Sequence, residues 1–288
     1  MVGTKRPTVS KLILVCLFLA LLIAGGVFYF YKNRINASTN QAPAPTKAES
    51  NISLPETKTE DDKIALSSVP ILMYHYIREY NDPGDEIGVN LSVSPKTFDQ
   101  QLTYLEANNY QTITFSQMID GYRGNYKISK DKKPIIITFD DGYDDAYTKA
   151  YPILKKHNLT GVFYIITGQI GQSERMTKDQ IIELDKNGMT IGGHTKSHLE
   201  LDKLDPDSIT KQVSESKQTL ESILGHPISD FCYPAGKYND SVISILKSSG
   251  YETAVTTKNG ISDTSSNLYE LPRIRVQNST NLEKVLNQ

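Results

Sequence analysis

The chain has 288 residues, 38% of them apolar, and a formal net charge of −2. That length allows one or two domains with a full hydrophobic core, and the balanced charge excludes a nucleic-acid partner held by electrostatics. Residues 1–66 carry 8 Lys/Arg against 5 Asp/Glu and the remainder 23 against 28, so the globular part is mildly acidic.

Residues 12–31 are 20 positions without a charge, preceded by Lys5, Arg6 and Lys11 and closed by a run of aromatic residues. The stretch is long enough to span a bilayer, with flanks suited to its two interfaces. Residues 1–32 are therefore expected to form an uncleaved transmembrane signal-anchor, N-terminus inside, with a secreted product as the alternative if the segment is cut. Residues 33–66 are polar, rich in Ser, Thr, Pro and Ala, and show no apolar period, as in a disordered linker. Cys16 falls in the apolar span and Cys232 is alone in the rest, so no disulfide within the globular part is available.

From residue 67 to 288 the sequence alternates short β-like runs with amphipathic helices. PILMYHYI (70–77) reads as a strand. A helix follows with Phe98, Leu102 and Leu105 on one face. PIIITFD (134–140) is an apolar, β-branched run suited to a strand buried on both sides. Residues 143–156 read as a helix, 161–167 as a strand, 177–186 as a helix and 189–194 as a strand ending in glycines. A long helix at 207–224, a strand at 228–234, a helix at 240–249 and a strand at 252–257 complete the set. Repeated strand–helix units imply a parallel α/β sheet, and about seven units in so short a chain favour a distorted (β/α) barrel. Active sites of such folds lie at the C-terminal ends of the strands, which singles out residues 140–145, 194–198 and 233–236.

Two chemistries stand out at these places. Asp140 and Asp141 end a strand side by side, and their repulsion is relieved by a cation or a shared proton. Asp144 and Asp145 suit a helix start instead. His194 and His198, two of five histidines, are four apart in HTKSH and can converge on one metal. With Asp141 they make two imidazoles and one carboxylate, an open set for a Zn²⁺-like ion that acidifies water. Asp140 is left over as a base. His157 and His226 read as solvated.

TFDDG (138–142), HTKSH (194–198) and FCYPAG (231–236), in that order, resemble the polysaccharide deacetylase family, carbohydrate esterase family 4. The resemblance spans roughly residues 69–276. It implies a distorted (β/α) barrel that removes acetyl groups from N-acetylated sugars or from O-acetylated xylan with a divalent metal: zinc first, with Co, Ni, Mn or Fe as alternatives. It assigns Asp140 as general base, Asp141, His194 and His198 as ligands, and the Ala235 N–H as an oxyanion donor. Many members carry an arginine where this chain has Cys232, and a late histidine as general acid, whereas no histidine follows His226. The arrangement is similar to a subgroup that includes poly-N-acetylglucosamine deacetylases, in which the acid-bearing strand comes first. On that comparison His75 is the acid, and Arg273 or Arg275 replaces the missing arginine. The two stand two apart on a strand and share a face, so both remain open. Tyr143 and Tyr233 are candidates to stack on sugar rings, and Pro234 and Ala235 are counted with them as substrate-binding residues.

The resulting expectation is a monomeric, single-pass membrane protein with an extracellular domain. That domain would remove N-acetyl groups from an N-acetylglucosamine-containing polymer, peptidoglycan or poly-N-acetylglucosamine. An O-acetyl esterase and a non-catalytic glycan-binding protein on the same fold are the alternatives.

Overall fold

The computed structural model describes residues 62–287. The expected signal-anchor and nearly all of the expected linker lie outside the described residues. Among those described, no helix is long and apolar enough to cross a membrane. The last expected linker residues are structured: Lys63–Ala65 pairs antiparallel with Lys127–Ser129, and Leu66 is buried.

An eight-stranded sheet organises the domain. Its strands are β1 (Ile71–Tyr74), β2 (Tyr110–Thr112), β3 (Lys133–Phe139), β4 (Val162–Ile165), β5 (Thr190–Gly193), β6 (Asp230–Cys232), β7 (Thr253–Val255) and β8 (Ile274–Arg275). Across the sheet the order is β7-β6-β5-β4-β3-β1-β8, with β2 against the start of β3, and every pairing is parallel. Five strands run in sequence order from β3 to β7, while the first and last strands of this sheet, β1 and β8, sit together on the other side of β3. Between the two ends of this path, the described residues form an isolated parallel bridge from Val255 to Leu271, flanked by Leu271 N–H donating to Ala254 O and Thr256 N–H to Leu271 O. The result is an incomplete barrel.

Helices cover the outside: α1 (Pro95–Ala107), α2 (Phe115–Tyr122), α3 (Tyr151–Lys156), α4 (Lys178–Lys186), α5 (Pro206–Leu224) and α6 (Asp240–Ser248). Their starts follow side-chain capping. Ser94, Thr114, Thr177, Asp205 and Asn239 each accept from a backbone N–H of the first turn, and the Thr114–Gln117 and Thr177–Gln180 pairs are reciprocal. Phe98, Leu102 and Leu105 are fully buried, as the helical phase of α1 requires.

The two faces of the sheet separate by strand parity. Ile135, Ile137 and Phe139 pack outward in the larger core cluster with Leu72, Tyr74, Phe163 and Ile274. Ile136 packs inward with Ile71, Tyr164, Cys232, Val255 and Leu271. The same alternation turns Thr138 and Asp140, His75, and both Arg273 and Arg275 toward the interior. Three strands that lie side by side, β3, β1 and β8, thus aim their polar residues into one end of the barrel.

Two local expectations need correction. The helix expected over residues 143–156 runs from Asp144 to Lys156 but is not regular throughout: Tyr143 forms an isolated β-bridge with Arg175, and a π-helical stretch spans Ala146–Ala150 before α3. Pro152 supplies a reason, since its ring has no N–H and displaces the carbonyl one turn before it. His157, expected in solvent, is 7% exposed, with its two ring nitrogens each 2.8 Å from Asp99 and Glu106. His226 is half-exposed against Asp185.

Candidate active site

Asp140 leaves the end of β3 inside the barrel and is 3% exposed. Its carboxylate lies against Arg273, which has no exposed surface and forms two parallel hydrogen bonds of 2.7 Å to it. The remaining guanidinium hydrogens go to Thr138 Oγ1 at 2.9 Å, the Thr256 carbonyl at 2.9 Å and Cys232 Sγ at 3.3 Å. All five donors of the guanidinium fork are therefore used. Thr138 is free to accept because its own proton goes to the Leu72 carbonyl at 2.7 Å. Burial pushes the Asp140 carboxyl up, but the Arg273 charge and hydrogen bonds, aided by His75 and His194, outweigh it and hold the group below the ordinary carboxylate value.

This arrangement decides between the two arginines. Both share the inward face, but Arg273 lies one layer deeper and binds Asp140, while Arg275 is exposed at the mouth. Cys232 is small enough to leave room for a guanidinium arriving from β8, so a charge from the last strand fills space beside β6.

His75 directly follows the end of β1 and stands with Nε2 3.7 Å from Asp140 Oδ2. Burial lowers its pKa from the usual histidine value; Asp140 and Asp141 oppose that shift, and the two arginines reinforce it.

Asp141, His194 and His198 bring ligand atoms within 4.8 Å of one another. Both imidazole Nε2 atoms lie 3.3 Å from Asp141 Oδ1. The Nδ1 of His194 is 2.7 Å from the Cys232 carbonyl, which can only accept. That contact fixes the proton on Nδ1 and leaves the Nε2 lone pair for a ligand role. HTKSH is a loop beyond β5, held by the His198 N–H donating to Thr195 Oγ1 at 2.9 Å. Burial raises the Asp141 carboxyl, yet its contacts with His194 and His198 outweigh this and hold it well below the ordinary range. Two nitrogens and one oxygen grouped this closely fit a divalent ion such as zinc.

The backbone here is unusual. Asp141 (φ 73), Thr195 (φ 62), His198 (φ 59) and Ala235 (φ 52) all lie in the left-handed region without being glycine. Such conformations cost of order 1–3 kcal/mol each and concentrate where a side chain or N–H must be aimed. Ala235 follows Pro234 in a single turn after β6, and no acceptor among the described residues meets its N–H.

The tyrosines behave differently from expectation. Tyr233 is 1% exposed, its hydroxyl donates to the Tyr269 carbonyl, and its ring packs against Phe231 and Tyr238. Strand parity turns it outward into the core, away from the barrel mouth. Tyr143 has Tyr76 stacked at 3.7 Å and the Arg175 guanidinium at 4.0 Å, one on each face. Neither ring offers a face to a sugar. Pro234 is buried in the turn. Asp144 accepts from Gln180 and neither it nor Asp145 caps the helix through its side chain. Thr138, Thr256 and Arg175 were not singled out by the sequence. Thr138 had a signal in its parity with Asp140; the other two act through contacts far away in the chain.

An incomplete parallel barrel with a guanidinium-held carboxylate beside an Asp–His–His cluster defines an α/β fold with a candidate metal site. Comparison with known proteins narrows this. The family model for polysaccharide deacetylase matches residues 127–254. The Bacillus subtilis protein YxkH, named for the same family, is 32% identical over 251 residues, covering 84% of this chain and 85% of its own. A poly-β-1,6-N-acetyl-D-glucosamine N-deacetylase of Staphylococcus aureus is 26% identical over 235 residues, covering 73% of this chain and 79% of its own. The solved structure of the Streptococcus pyogenes deacetylase PplD, in complex with acetate, superposes with a TM-score of 0.71 at 33% identity, covering 78% of this chain and 98% of that one. The chain belongs to the polysaccharide deacetylase family and is a hydrolase acting on carbon–nitrogen bonds other than peptide bonds.

Proposed function

We propose that the protein is a metal-dependent N-deacetylase of an N-acetylglucosamine-containing cell-surface polysaccharide, peptidoglycan or poly-N-acetylglucosamine. The observation that carries this reading is the Asp140 carboxylate, kept ionised and oriented by five-donor Arg273, beside His75 and next to the Asp141–His194–His198 cluster. The S. aureus relative, named for action on a poly-N-acetylglucosamine, supports the substrate class.

Asp141, His194 and His198 would hold the metal. Bound there, a divalent ion supplies a Lewis acid and makes water nucleophilic near neutral pH. Asp140 accepts the proton of the attacking water as general base. Its ionised state and fixed direction come from Arg273, so the lone pair is ready without reorganisation. The Ala235 N–H, aimed by its left-handed backbone, donates to the oxygen that gains charge on the acetyl carbon. One such donor is typically worth about 3 kcal/mol in the transition state. His75 gives a proton to the departing amine; acetate and a free glucosamine amine are the products. Residues 12–31 would anchor the domain in the cell membrane, with the catalytic part outside, where the polymer is.

The test is acetate release by the purified full-length protein from N-acetylglucosamine oligomers, poly-N-acetylglucosamine and peptidoglycan. The expected result is release that a chelator abolishes and zinc restores. Undiminished release at zero metal occupancy would overturn the metal reading; release only from O-acetylated xylan would overturn the amide reading.

A further inference from the structure

We propose that Arg175 is a positioning residue for Asp141, acting through the backbone of the Asp-Asp-Gly turn; the proposal rests on the reading of Asp141, His194 and His198 as metal ligands. Arg175 lies outside every motif considered above, 34 residues beyond Asp141, and its Nη1 donates to the Asp141 main-chain carbonyl at 2.8 Å. That carbonyl belongs to a residue with φ 73, a left-handed conformation that costs a non-glycine residue energy and that its surroundings must offset.

The restraint is built from several contacts on one short segment. Met176 N–H donates to the Gly142 carbonyl at 3.0 Å, and Asp144 N–H donates to the Glu174 carbonyl at 3.0 Å. Between them Tyr143 and Arg175 form an antiparallel bridge. Residues 174–176 therefore strap the turn from Asp141 to Asp144. The guanidinium of Arg175 also covers one face of Tyr143 at 4.0 Å, and Tyr76 covers the other at 3.7 Å. Arg78 lies over Tyr76 at 3.6 Å and over Tyr80 at 4.3 Å. Arginine and tyrosine thus form one continuous stack from the Asp141 turn to the chain segment that carries His75.

The consequence is geometric. Where the Asp141 carboxylate points is set by its Cα, and its Cα by the left-handed backbone. If the peptide relaxed to a negative φ, the carboxylate would swing away from His194 and His198, whose Nε2 atoms now lie 3.3 Å from it. A charged donor on the Asp141 carbonyl opposes that relaxation more strongly than a neutral one. Groups that orient metal ligands in this way typically change affinity by about 10–100-fold.

The experiment measures zinc affinity by competition with a chromophoric chelator, and the absorption spectrum of the cobalt-substituted protein, for the full chain, R175A, R175K and H194A. The expected result is zinc affinity lowered about 10–100-fold in R175A with an altered cobalt spectrum, and a smaller loss in R175K, whose single ammonium cannot both stack and donate in the guanidinium geometry. Millimolar guanidinium should restore affinity to R175A and leave the wild type unchanged. If R175A does not fold, R175K decides: affinity and spectrum equal to wild type overturn the proposal. Wild-type affinity in R175A, or weakened affinity with no guanidinium rescue in a folded R175A, also overturns it. A wild type that binds no zinc, or binds it equally in H194A, instead overturns the metal reading on which the proposal stands.

Discussion

Arg273 and Asp140 are 133 residues apart in the chain and meet through two 2.7 Å hydrogen bonds in the barrel interior, where they are 0% and 3% exposed. A buried pair of this kind is not strong evidence of net stabilisation, because both ions lose their hydration. Breaking it is costly all the same, since the surviving charge stays buried alone. The R273A variant should lose about 3–5 kcal/mol of stability. R273K should keep more of that stability yet still lose activity, because one ammonium cannot replace two parallel donors. The pH profile adds a sign. Arg273 holds the Asp140 pKa down, chiefly by its charge, so its removal raises it, and the acidic limb of kcat/KM should move to higher pH in R273A and less in R273K, which keeps a cation. Denaturant titration and a pH–rate series check both.

The two ligand histidines should separate by their surroundings. His194 is 2% exposed and bonded to the Cys232 carbonyl, whereas the His198 side chain is 37% exposed. Both H194A and H198A should lose bound metal and acetate release. H194A should also lose about 1–3 kcal/mol of metal-free stability by leaving a buried carbonyl unpaired, while H198A stays within about 0.5 kcal/mol of wild type. Metal analysis and melting in chelator give the comparison.

His75 lies 3.7 Å from Asp140 and outside the ligand cluster. Replacing it with glutamine should lower kcat about 10²–10⁴-fold, the usual contribution of a general acid, while metal content stays at the wild-type level. Loss of metal in H75Q would show that the residue supports the ligands instead.

Asp230 offers a stabilising change. It is 8% exposed and accepts from Thr253 Oγ1 at 2.7 Å; burial first, then Glu252, raises its pKa to about 6. A carboxyl raised above its unfolded value binds its proton more tightly when folded. Its contribution to stability is therefore full below about pH 4 and is lost as pH rises to about 6. D230N should keep the Thr253 bond and remove the loss, so the variant should melt higher than wild type at pH 8 and about equally at pH 4. The gain at pH 8 should be on the order of 1–3 kcal/mol.

Much of the domain was legible because its signals are local. The apolar β-branched run of β3 and the caps of α1, α2, α4, α5 and α6 depend on neighbours within a few positions. TFDDG and HTKSH put chemically distinctive residues at strand ends, and strand parity alone puts Asp140 on the same face as Thr138. The tyrosines were misjudged for a related reason. An aromatic beside a motif looks available to a sugar, but Tyr233 has the outward parity of its strand, and both faces of Tyr143 are taken by Tyr76 and Arg175.

The sequence by itself therefore determined the strand–helix alternation and the two-histidine, two-carboxylate set, and its family resemblance implied that an arginine from elsewhere replaces the one missing at Cys232. Only the tertiary structure decided which arginine. Arg273 and Arg275 have the same parity and the same local chemistry. They differ in depth, and depth comes from the parallel register of β8 on β1 and of β1 on β3, which the neighbours of neither arginine encode. That register also brings Thr138, Thr256 and Cys232 around one guanidinium from three other parts of the chain.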